Sequence, residues 1–365
     1  MTDTVSAVEL RRAFLAHLAG DFAAAEATYR AALAHPPFAG AAYRHLTHLL
    51  EAQHRWEEAL EAARQAHQRW PQAPELAVHL ATSLLGLGRY EEAWPLFEAR
   101  AALAAGRVRP DLPYPEWDGG AVRSLTVWDE QGFGDAIQFA RFIPDLVARG
   151  VSVTLVVRPE LAALFAGLGA TVIPAQGQMR IPVADAWTML GSLPGRLGVT
   201  LETLPGRTAY LTAPEDRRAA LAGKLRPGAR IGVVSRGKPA HANDHNRSLP
   251  YEGAAFLLSL PGVQSLLPDE SPLPLKDFAD TAAVMAHLDL VISVDTASAH
   301  LAAALGKPCW ILLPWVGEDW RWLHDGRTDS PWYPSVRLYR QPAPGDWASA
   351  LRALAQDLQV FLRGR

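Results

Sequence analysis

The sequence has little cysteine, little net charge and no long uninterrupted apolar segment. Its one cysteine, Cys309, excludes an intrachain disulfide and any metal cluster of cysteines, as is typical of proteins in a reducing cytoplasm. The net charge of −3, with acids and bases interspersed, indicates neither a nucleic-acid-binding nor a membrane-binding surface. Residues 1–12 lack the pattern of a signal peptide, and no window is apolar enough to cross a bilayer. We therefore expect a soluble, cytoplasmic protein.

What the sequence does contain is enough apolar material for more than one core. The chain has 365 residues, of which 49% are hydrophobic and 20% charged, a composition typical of globular proteins. This length predicts two or three domains, each with its own core. Cys309 lies between Pro308 and Trp310 in an apolar run, which favours an inert, buried thiol over a nucleophile.

The first hundred residues repeat at a spacing of 34. The equivalent positions hold Gly20, His54 and Gly88; Phe22, Trp56 and Tyr90; Ala25, Ala59 and Ala93; and Tyr29, Ala63 and Phe97. This period, with small residues where two helices touch and an aromatic residue on the second helix, resembles the tetratricopeptide repeat. We predict three helical hairpins in residues 1–105, each of which buries its apolar face by stacking on its neighbour. His54 departs from the small residue usual at the turn.

Two roles remain open for these repeats. Their concave surface either receives a partner protein or peptide, or the hairpins form a short helical cap packed on the next domain. No residue in the repeats is a credible catalyst.

Residues 106–120, with Pro110, Pro113 and Pro115, cannot continue a helix and are predicted to be a linker. After them, strand and helix patterns alternate, which favours parallel sheets with right-handed crossovers. The predicted strands are 125–129, 151–157, 171–174, 230–235, 263–267, 290–294 and 309–313, and the predicted helices include 135–149, 160–168 and 347–362.

The alternation predicts two doubly wound, Rossmann-like halves that face each other. We assign residues 121–225 to the N-terminal half, 226–345 to the C-terminal half and 346–365 to a final helix. Ligands of open α/β sheets bind beyond the carboxyl ends of the strands, so the cleft between the halves is the expected site.

Asp129–Asp135, directly after the first strand of this region, is a glycine-containing loop with Gln131, Gly132 and Gly134. Glycine permits backbone conformations that other residues resist, so this loop can approach a substrate closely. Asp135 has two open interpretations: it caps the next helix, or it takes a proton from an acceptor hydroxyl. The spacing differs from the G-x-G-x-x-G dinucleotide fingerprint, and we do not infer NAD.

A second loop, 235–248, follows the first strand of the C-terminal half and concentrates basic residues. They are Arg236, Lys238, His241, His245 and Arg247, with Asn243 as a further polar candidate. The loop is either a solvated charged surface or the neutralising partner of a diphosphate. His241 and His245 have no cysteine or carboxylate at metal-site spacing, so we predict no metal.

A third segment is the apolar strand 291–294, which breaks at Asp295 and Thr296 and becomes a helix. The amides of Thr296 to Ala299 have no acceptors inside that helix and form a ready site for an anion such as a diphosphate. Asp295 is placed to reach hydroxyls of the molecule that carries the phosphates. The other interpretation is an ordinary strand–helix junction with Asp295 or Thr296 as N-cap.

A fourth segment, 310–332, holds five of the twelve tryptophans. Some of them belong in the core. Exposed indoles beside Glu318, Asp319, Arg321 and His324 would be costly unless they pack on a ligand, a sugar ring or the helical domain.

Several motifs follow one another in a fixed order. They are Glu130–Asp135 with Gln138–Phe139, Gly237–Pro250, Asp277–Thr281, Ser293–Leu301 and Asp329–Pro334. Together with the repeats, they resemble bacterial tetratricopeptide-repeat glycosyltransferases, whose catalytic part is similar to heptosyltransferase-like enzymes of the GT-B fold. The architecture also resembles protein O-GlcNAc transferase. The resemblance covers nearly the whole chain and implies cofactor-free, metal-independent transfer of a sugar, with inversion, from a nucleotide-diphosphate donor to a protein or glycan acceptor.

The resemblance also implies roles for individual residues. Asp135 matches the carboxylate proposed as the base in heptosyltransferases. The leaving diphosphate is expected to be neutralised by Lys238, Arg247 and the amides of Thr296, Ala297 and Ser298. Asp295 is expected to hold hydroxyls of the donor sugar, and His300 to contact the nucleotide. The remaining cleft candidates are Gln131, Gly132, Gly134, Arg236, His241 and Asn243.

Two departures concern the donor pocket. Relatives usually carry an aromatic–small pair where this chain has Ser235–Arg236, and Leu266–Pro274 is shorter and richer in proline than expected for the donor-side loop. Two alternatives therefore stay open: an inactive scaffold or binding protein of the same fold, and a nucleotide-sugar epimerase. The sugar, the base, the acceptor and the oligomeric state do not follow from the sequence.

Overall fold

The computed structural model describes residues 6–18, 21–103, 109–206, 209–271 and 273–363. The chain divides into two compact units. One comprises Met1–Gly106 with Val316–Gly326, and the other comprises Arg107–Trp315 with Arg327–Arg365. The grouping of Val316–Gly326 with the N-terminal residues has no counterpart in the domain limits drawn from the sequence, which placed this segment within 226–345.

The N-terminal part of the first unit is a series of helical hairpins. Its helices are α1 (Ala7–Leu18), α2 (Phe22–Ala32), α3 (Pro36–Ala52), α4 (Trp56–Arg69), α5 (Pro74–Gly86) and α6 (Tyr90–Phe97). Both α3 and α5 begin on a proline, whose missing N–H costs nothing in the first turn. Ala25, Ala59 and Ala93 are fully buried, so that paired helices approach closely. The predicted helical repeats are confirmed, and Gly20 lies outside the described residues.

The turn before the second helix of a hairpin uses a left-handed backbone. Gly88 adopts φ +75° and His54, the equivalent residue 34 positions earlier, adopts φ +57°. Glycine enters this region without steric cost, whereas a residue with a Cβ is strained there. The ring of His54 stacks on Trp56, with centroids 4.9 Å apart.

Val316–Gly326 packs its aromatic side chains on the last hairpin. Trp320 makes edge-to-face contacts with Tyr90, Trp94 and Phe97, at centroid distances of 6.4, 6.0 and 6.3 Å. Trp320 is buried as a result. The sequence left a ligand, a sugar ring or the helical domain as packing partners for the exposed indoles of 310–332. Trp320 packs on the helical repeats.

His324 fixes the other end of this segment. Its backbone N–H donates to the carbonyl of Gly86 over 2.9 Å. Its ring lies so close to Gly86 that a Cβ there would overlap the imidazole. A residue larger than glycine at position 86 would therefore displace His324.

The second unit contains the strands and the remaining helices. The strands are β1 (Ser124–Trp128), β2 (Ser152–Val157), β3 (Thr171–Pro174), β4 (Ala186–Met189), β5 (Ile231–Val234), β6 (Val263–Ser265), β7 (Leu290–Val294), β8 (Cys309–Leu313) and β9 (Val336–Arg340). The helices are α7 (Phe133–Phe139), α8 (Ile143–Ala148), α9 (Pro159–Phe165), α10 (Leu193–Arg196), α11 (Glu215–Leu221), α12 (Asp244–Arg247), α13 (Tyr251–Ser259), α14 (Phe278–Ala286), α15 (Ala297–Ala304) and α16 (Trp347–Arg363).

The strands form two parallel sheets. One has the order β3-β2-β1-β4 and the other the order β6-β5-β7-β8-β9. In each sheet the chain leaves its first strand toward one edge and later returns to the opposite side, so a switch point lies between β1 and β4 and another between β5 and β7. Loops at such points form ligand sites in open α/β sheets. The predicted fold class, helical repeats followed by two doubly wound halves, is confirmed.

Two strands and one helix differ from the sequence prediction. β4 and β9 were not predicted as strands, and the predicted helix 135–149 is divided into α7, a 3-10 turn and α8. Pro144 in the first turn of α8 has no N–H to continue the α7 hydrogen-bond ladder. The single cysteine, Cys309, is fully buried in β8, and this burial raises the pKa of its thiol.

Candidate active site

Asp135 lies in the first turn of α7 and caps that helix. Its Oδ2 accepts a hydrogen bond from the backbone N–H of Gly132 over 2.7 Å. The capping interpretation of Asp135 is therefore realised in the structure. A carboxylate held this way also has a fixed direction, as a general base requires.

Arg158, just after β2, holds the loop that precedes α7. Its Nε donates to Asp129 Oδ2 over 2.6 Å and its Nη2 to Asp129 Oδ1 over 3.0 Å. The same guanidinium donates to the carbonyls of Gln131 and Gly132, over 3.0 and 3.1 Å. Sequence reasoning missed Arg158. Its position at the carboxyl end of a strand beside β1 was the available signal.

A second anchor ties this loop to the end of β4. The buried carboxylate of Glu130 accepts the N–H of Gly191 over 3.1 Å. Between the two anchors, Gln131 adopts φ +58°, a left-handed conformation that is strained for a residue with a side chain. The loop is therefore held at Asp129, Glu130 and Gly132.

Gly134 brings this loop against the start of α15. A Cβ on Gly134 would lie 2.9 Å from His300 Cδ2 and 3.5 Å from the Cα of Ala297. The absence of a side chain at position 134 thus allows α7 and α15, which belong to different sheets, to approach each other. The loop after β1 and the strand–helix break after β7 meet at this point.

α15 begins at that break, as the sequence predicts. Thr296 is the N-cap residue, with an extended backbone, and no side-chain hydrogen bond caps the helix among the residues that the structure describes. Its hydroxyl instead lies 3.1 Å from that of Ser293. The first amides of α15, at Ala297 and Ser298, have no acceptor within the helix by position.

Arg247 connects the basic loop to the strand–helix break. Its Nη1 donates to the backbone carbonyl of Asp295 over 3.0 Å, and its Nε to Asp244 Oδ1 over 3.1 Å. The guanidinium also packs against Gly237, where a Cβ would overlap it. The two segments predicted to bind one diphosphate are therefore adjacent.

Lys238 reaches across to the loop of the N-terminal half. Its side chain is exposed, and its Nζ lies 5.4 Å from the centroid of the Phe133 ring. Phe133, the first residue of α7, also packs on Phe278 at 4.9 Å. Lys238 is thus placed near the start of the helix that carries Asp135.

Arg236, in contrast, is engaged within its own half. It forms ion pairs with Asp269 and with Glu270 Oε1, the latter at 3.4 Å. The hydrogen bond to Asp269 raises the pKa of Arg236 and lowers that of Asp269. The two acids belong to the proline-rich segment 266–274, in which Pro272 lies outside the described residues.

The three remaining polar candidates divide between the core and the surface. His300 is buried, and its Nδ1 lies 2.9 Å from the hydroxyl of Tyr333. His241 is exposed, and its Nδ1 accepts the N–H of Asn243 over 3.2 Å. The Asn243 side chain accepts from Asn246 over 2.7 Å. His300 therefore lies against Gly134 of the loop that precedes α7, whereas His241 and Asn243 interact within their own loop.

Among the residues that the structure describes, the candidate site lies apart from a well-defined surface pocket and contains no cluster of metal ligands. In the described ranges, no group of three or more His, Cys, Asp or Glu side chains is arranged to hold a metal ion. A pocket of about 460 Å³ is lined by Pro144, Leu168 and Tyr210, among others, and by none of the site residues above.

Two protein-family models match parts of the chain, and one of them includes the strand–helix break at Asp295. The model described as glycosyltransferase family 9 (heptosyltransferase) matches residues 272–311. The model described as tetratricopeptide repeat matches residues 50–108. The chain is therefore similar to the tetratricopeptide repeat over residues 50–108 and to glycosyltransferase family 9 over residues 272–311. This confirms the resemblance to tetratricopeptide-repeat glycosyltransferases, and the family 9 segment includes Asp295 to His300.

One curated relative extends the similarity over most of the chain. Protein FlbA of Caulobacter vibrioides is 30% identical over 355 residues, which cover 83% of this chain and 59% of FlbA. The chain therefore spans less than two thirds of the length of that relative.

Two solved structures are also similar. One is the glycosyl transferase family 9 protein from Veillonella parvula, with a TM-score of 0.46, 12% identity, and coverage of 66% of this chain and 97% of that one. The other is the E. coli heptosyltransferase WaaC with ADP-2-deoxy-2-fluoro heptose, with a TM-score of 0.42, 15% identity, and coverage of 65% and 99%. Neither TM-score reaches 0.5. Among the described residues, no helix is both long and apolar enough to span a membrane.

Proposed function

We propose that the protein transfers a sugar from a nucleotide-diphosphate sugar to a hydroxyl of a protein or glycan acceptor, without a metal or cofactor and with inversion. The family 9 match supports sugar transfer as the reaction class. The observation that carries the proposal is the approach of Gly134 to Ala297 and His300. It brings the loop after β1, which leads to Asp135, close to the first turn of α15, where the diphosphate is proposed to bind.

The donor is proposed to bind on the C-terminal half. The first amides of α15 and the cations of Arg247 and Lys238 would meet its diphosphate, and Asp295 would accept hydrogen bonds from the sugar hydroxyls. The contact of Arg247 with the carbonyl of Asp295 supports this grouping. Preplaced donors of this kind stabilise the negative charge that builds on a leaving phosphate.

Asp135 is the proposed base. It takes the proton of the acceptor hydroxyl while that oxygen forms a bond to the anomeric carbon. The bond from this carbon to the phosphate oxygen breaks, and the nucleoside diphosphate leaves with the electron pair. Attack opposite the leaving group inverts the anomeric carbon. The hydrogen bond from Gly132 supports this role, because it fixes the direction of the carboxylate.

The repeats are the proposed acceptor-binding part. Tetratricopeptide repeats bind proteins or peptides along a concave face, and the match to residues 50–108 supports a protein or a protein-linked glycan as acceptor.

A thermal-shift screen with UDP, GDP, ADP, CDP and dTDP tests donor binding. We expect at least one nucleoside diphosphate to raise the melting temperature, and Lys238→Ala to weaken its binding about tenfold, as for loss of one charge-assisted contact. Lys224→Ala, at an exposed lysine outside the basic loop, is the matched control.

Turnover separates the remaining alternatives. A transferase releases nucleoside diphosphate from the matching nucleotide sugar, slowly with water and faster with an acceptor lysate. An epimerase would change the sugar with no acceptor and keep the diphosphate bond. A scaffold would bind no nucleotide, and Lys238→Ala would then change nothing.

A further inference from the structure

Arg158 contacts the loop 129–135, which precedes α7, through more groups than the carboxylate of Asp129 alone. Besides its bidentate pair with this buried aspartate, its Nη1 and Nη2 donate to the carbonyls of Gln131 and Gly132. Its backbone N–H donates to Asp129 Oδ2 over 3.2 Å as well. A guanidinium suits this task because its donors lie in one rigid plane, and a lysine ammonium cannot replace it.

Gly132 lies between Arg158 and the proposed base. Its carbonyl accepts from Arg158 Nη2 over 3.1 Å, and its N–H donates to Asp135 Oδ2 over 2.7 Å. The neighbouring Gln131 has the strained left-handed φ of +58° and its carbonyl accepts from Arg158 Nη1. Without Arg158 this strain would be relieved by rotation of the backbone, and the N–H that orients Asp135 would turn with it.

The same guanidinium lies against the first residue of α7. Arg158 Cζ is 4.1 Å from the centroid of the Phe133 ring, and Lys238 Nζ is 5.4 Å from that centroid. Phe133 therefore contacts two cations, one from each half. Arg158 fixes the ring near which the proposed diphosphate ligand Lys238 lies.

We propose that Arg158 is a positioning residue for sugar transfer, which holds Asp135 at a fixed place relative to the donor diphosphate. This inference rests on the proposed function, because it takes Asp135 as the base. Arg158 acts through the Gly132 peptide and through Phe133. A displacement of about 1 Å at a reacting group costs on the order of 100-fold in rate, so the effect belongs in kcat.

The test compares Arg158→Lys and Arg158→Met with Arg217→Met. Arg217 pairs with the buried Asp280 over 2.7 Å and is the matched control for the loss of an arginine–aspartate pair. Because Arg158→Met leaves Asp129 buried without its cation, the double variant Asp129→Asn/Arg158→Met is included. The donor is the nucleotide sugar that the wild type turns over in the screen above.

For both Arg158 variants and the double variant we expect kcat to fall about 100-fold, with donor KM and nucleoside-diphosphate affinity changed less than about threefold. Two further variants, Arg158→Ala and Asp135→Asn, test rescue: guanidinium chloride at a sub-denaturing concentration should restore at least about a tenth of the lost rate to the first but none to the second. Two results would overturn the proposal. One is a kcat within about twofold of wild type in the folded variants, and the other is a full wild-type rate in Arg158→Lys.

Hydrogen exchange keeps this test separate from the proposed function. The Gly132 amide should exchange at least about tenfold faster in the Arg158 variants than in wild type and Arg217→Met, since its bond to Asp135 is lost. Unchanged exchange overturns the positioning role whatever the activity. If the wild type releases no nucleoside diphosphate from any donor, the proposed function fails, and faster exchange still assigns the loop geometry to Arg158.

Discussion

The imidazole of His324 lies parallel to the indole of Trp56, with ring centroids 3.8 Å apart and an angle of 5° between the rings. Trp56 begins the helix α4, whereas His324 comes more than 260 residues later in the chain. This pair, together with the bond from His324 N–H to Gly86, attaches Val316–Gly326 to two neighbouring repeats.

We predict that His324→Ala lowers the stability of the repeat unit by about 1 to 2 kcal/mol, through loss of the aromatic pair and of buried area. Urea unfolding followed by tryptophan fluorescence measures the change, because Trp56 reports on this contact. His35→Ala, at a half-buried histidine of the same unit, should leave the midpoint unchanged. Equal midpoints for the two variants would contradict the prediction.

The stability of the repeats should also depend on pH. Burial is the main factor that lowers the pKa of both His45 and His79 to about 4, helped by nearby Arg44 and His48. The unfolded chain takes up protons on these rings below pH about 6.5, whereas the folded chain does not until pH about 4. The contribution of these two rings to stability is therefore full above pH 6.5, decreases as the pH drops toward 4, and changes no further below that pH.

Differential scanning calorimetry between pH 7.5 and 4 measures this loss. His45→Phe and His79→Phe keep an aromatic ring but remove the titrating group, so together they should flatten the curve in this range. His35→Phe should keep the wild-type slope. If the stability of the double variant depends on pH as steeply as that of the wild type, other groups are responsible for the pH dependence.

Gly134→Ala should impair the site with little effect on folding. The added Cβ would lie 2.9 Å from His300 Cδ2, so either the buried imidazole or the two helices α7 and α15 must shift. We expect nucleotide-sugar turnover to fall at least tenfold, since a small displacement of a reacting group is costly. Gly167→Ala is the control, because a Cβ at that position would meet nothing within 4 Å. Equal turnover in the two alanine variants would argue against this approach of helices as part of the site.

The two arginines of the basic loop should differ in their effect on nucleotide affinity. Arg247 contacts the carbonyl of Asp295, whereas Arg236 is paired with Asp269 and Glu270. We expect Arg247→Met to weaken nucleoside-diphosphate binding about 10- to 100-fold, the cost of one or two charge-assisted hydrogen bonds. Arg236→Met should change it less than about threefold. Isothermal titration calorimetry of both variants measures the two affinities. An equal loss of affinity in both would indicate that both cations bind the diphosphate.

Local sequence signals predicted those parts of the molecule that local chemistry determines. The apolar runs of β7 and β8 and the break at Asp295 were predicted at the observed residues, because a buried parallel strand followed by a helix start has a strong local pattern. The 34-residue period likewise predicted the hairpins. β4 escaped prediction because its four buried residues, Ala186–Met189, are too few for a periodic signal.

Contacts between distant segments could not be predicted in the same way. The sequence singles out Lys238 by its neighbours. The position of Arg158 after a strand indicates only that it lies near the site, and does not indicate that its guanidinium binds Asp129, 29 residues earlier. The packing of Trp320 on Tyr90 and Trp94 depends on the folded repeats, so composition alone left a ligand and a sugar ring as alternatives.

The late position of Val316–Gly326 in the chain has a consequence for synthesis on the ribosome. Domains usually fold in order from the N-terminus as they emerge, and the helices α1 to α6 are complete long before residue 316 is added. Until then Tyr90, Trp94 and Phe97 lack the indole that covers them in the finished protein. The repeats thus emerge first but finish folding only after most of the α/β unit has been translated, and for that interval a chaperone could bind their uncovered aromatic face.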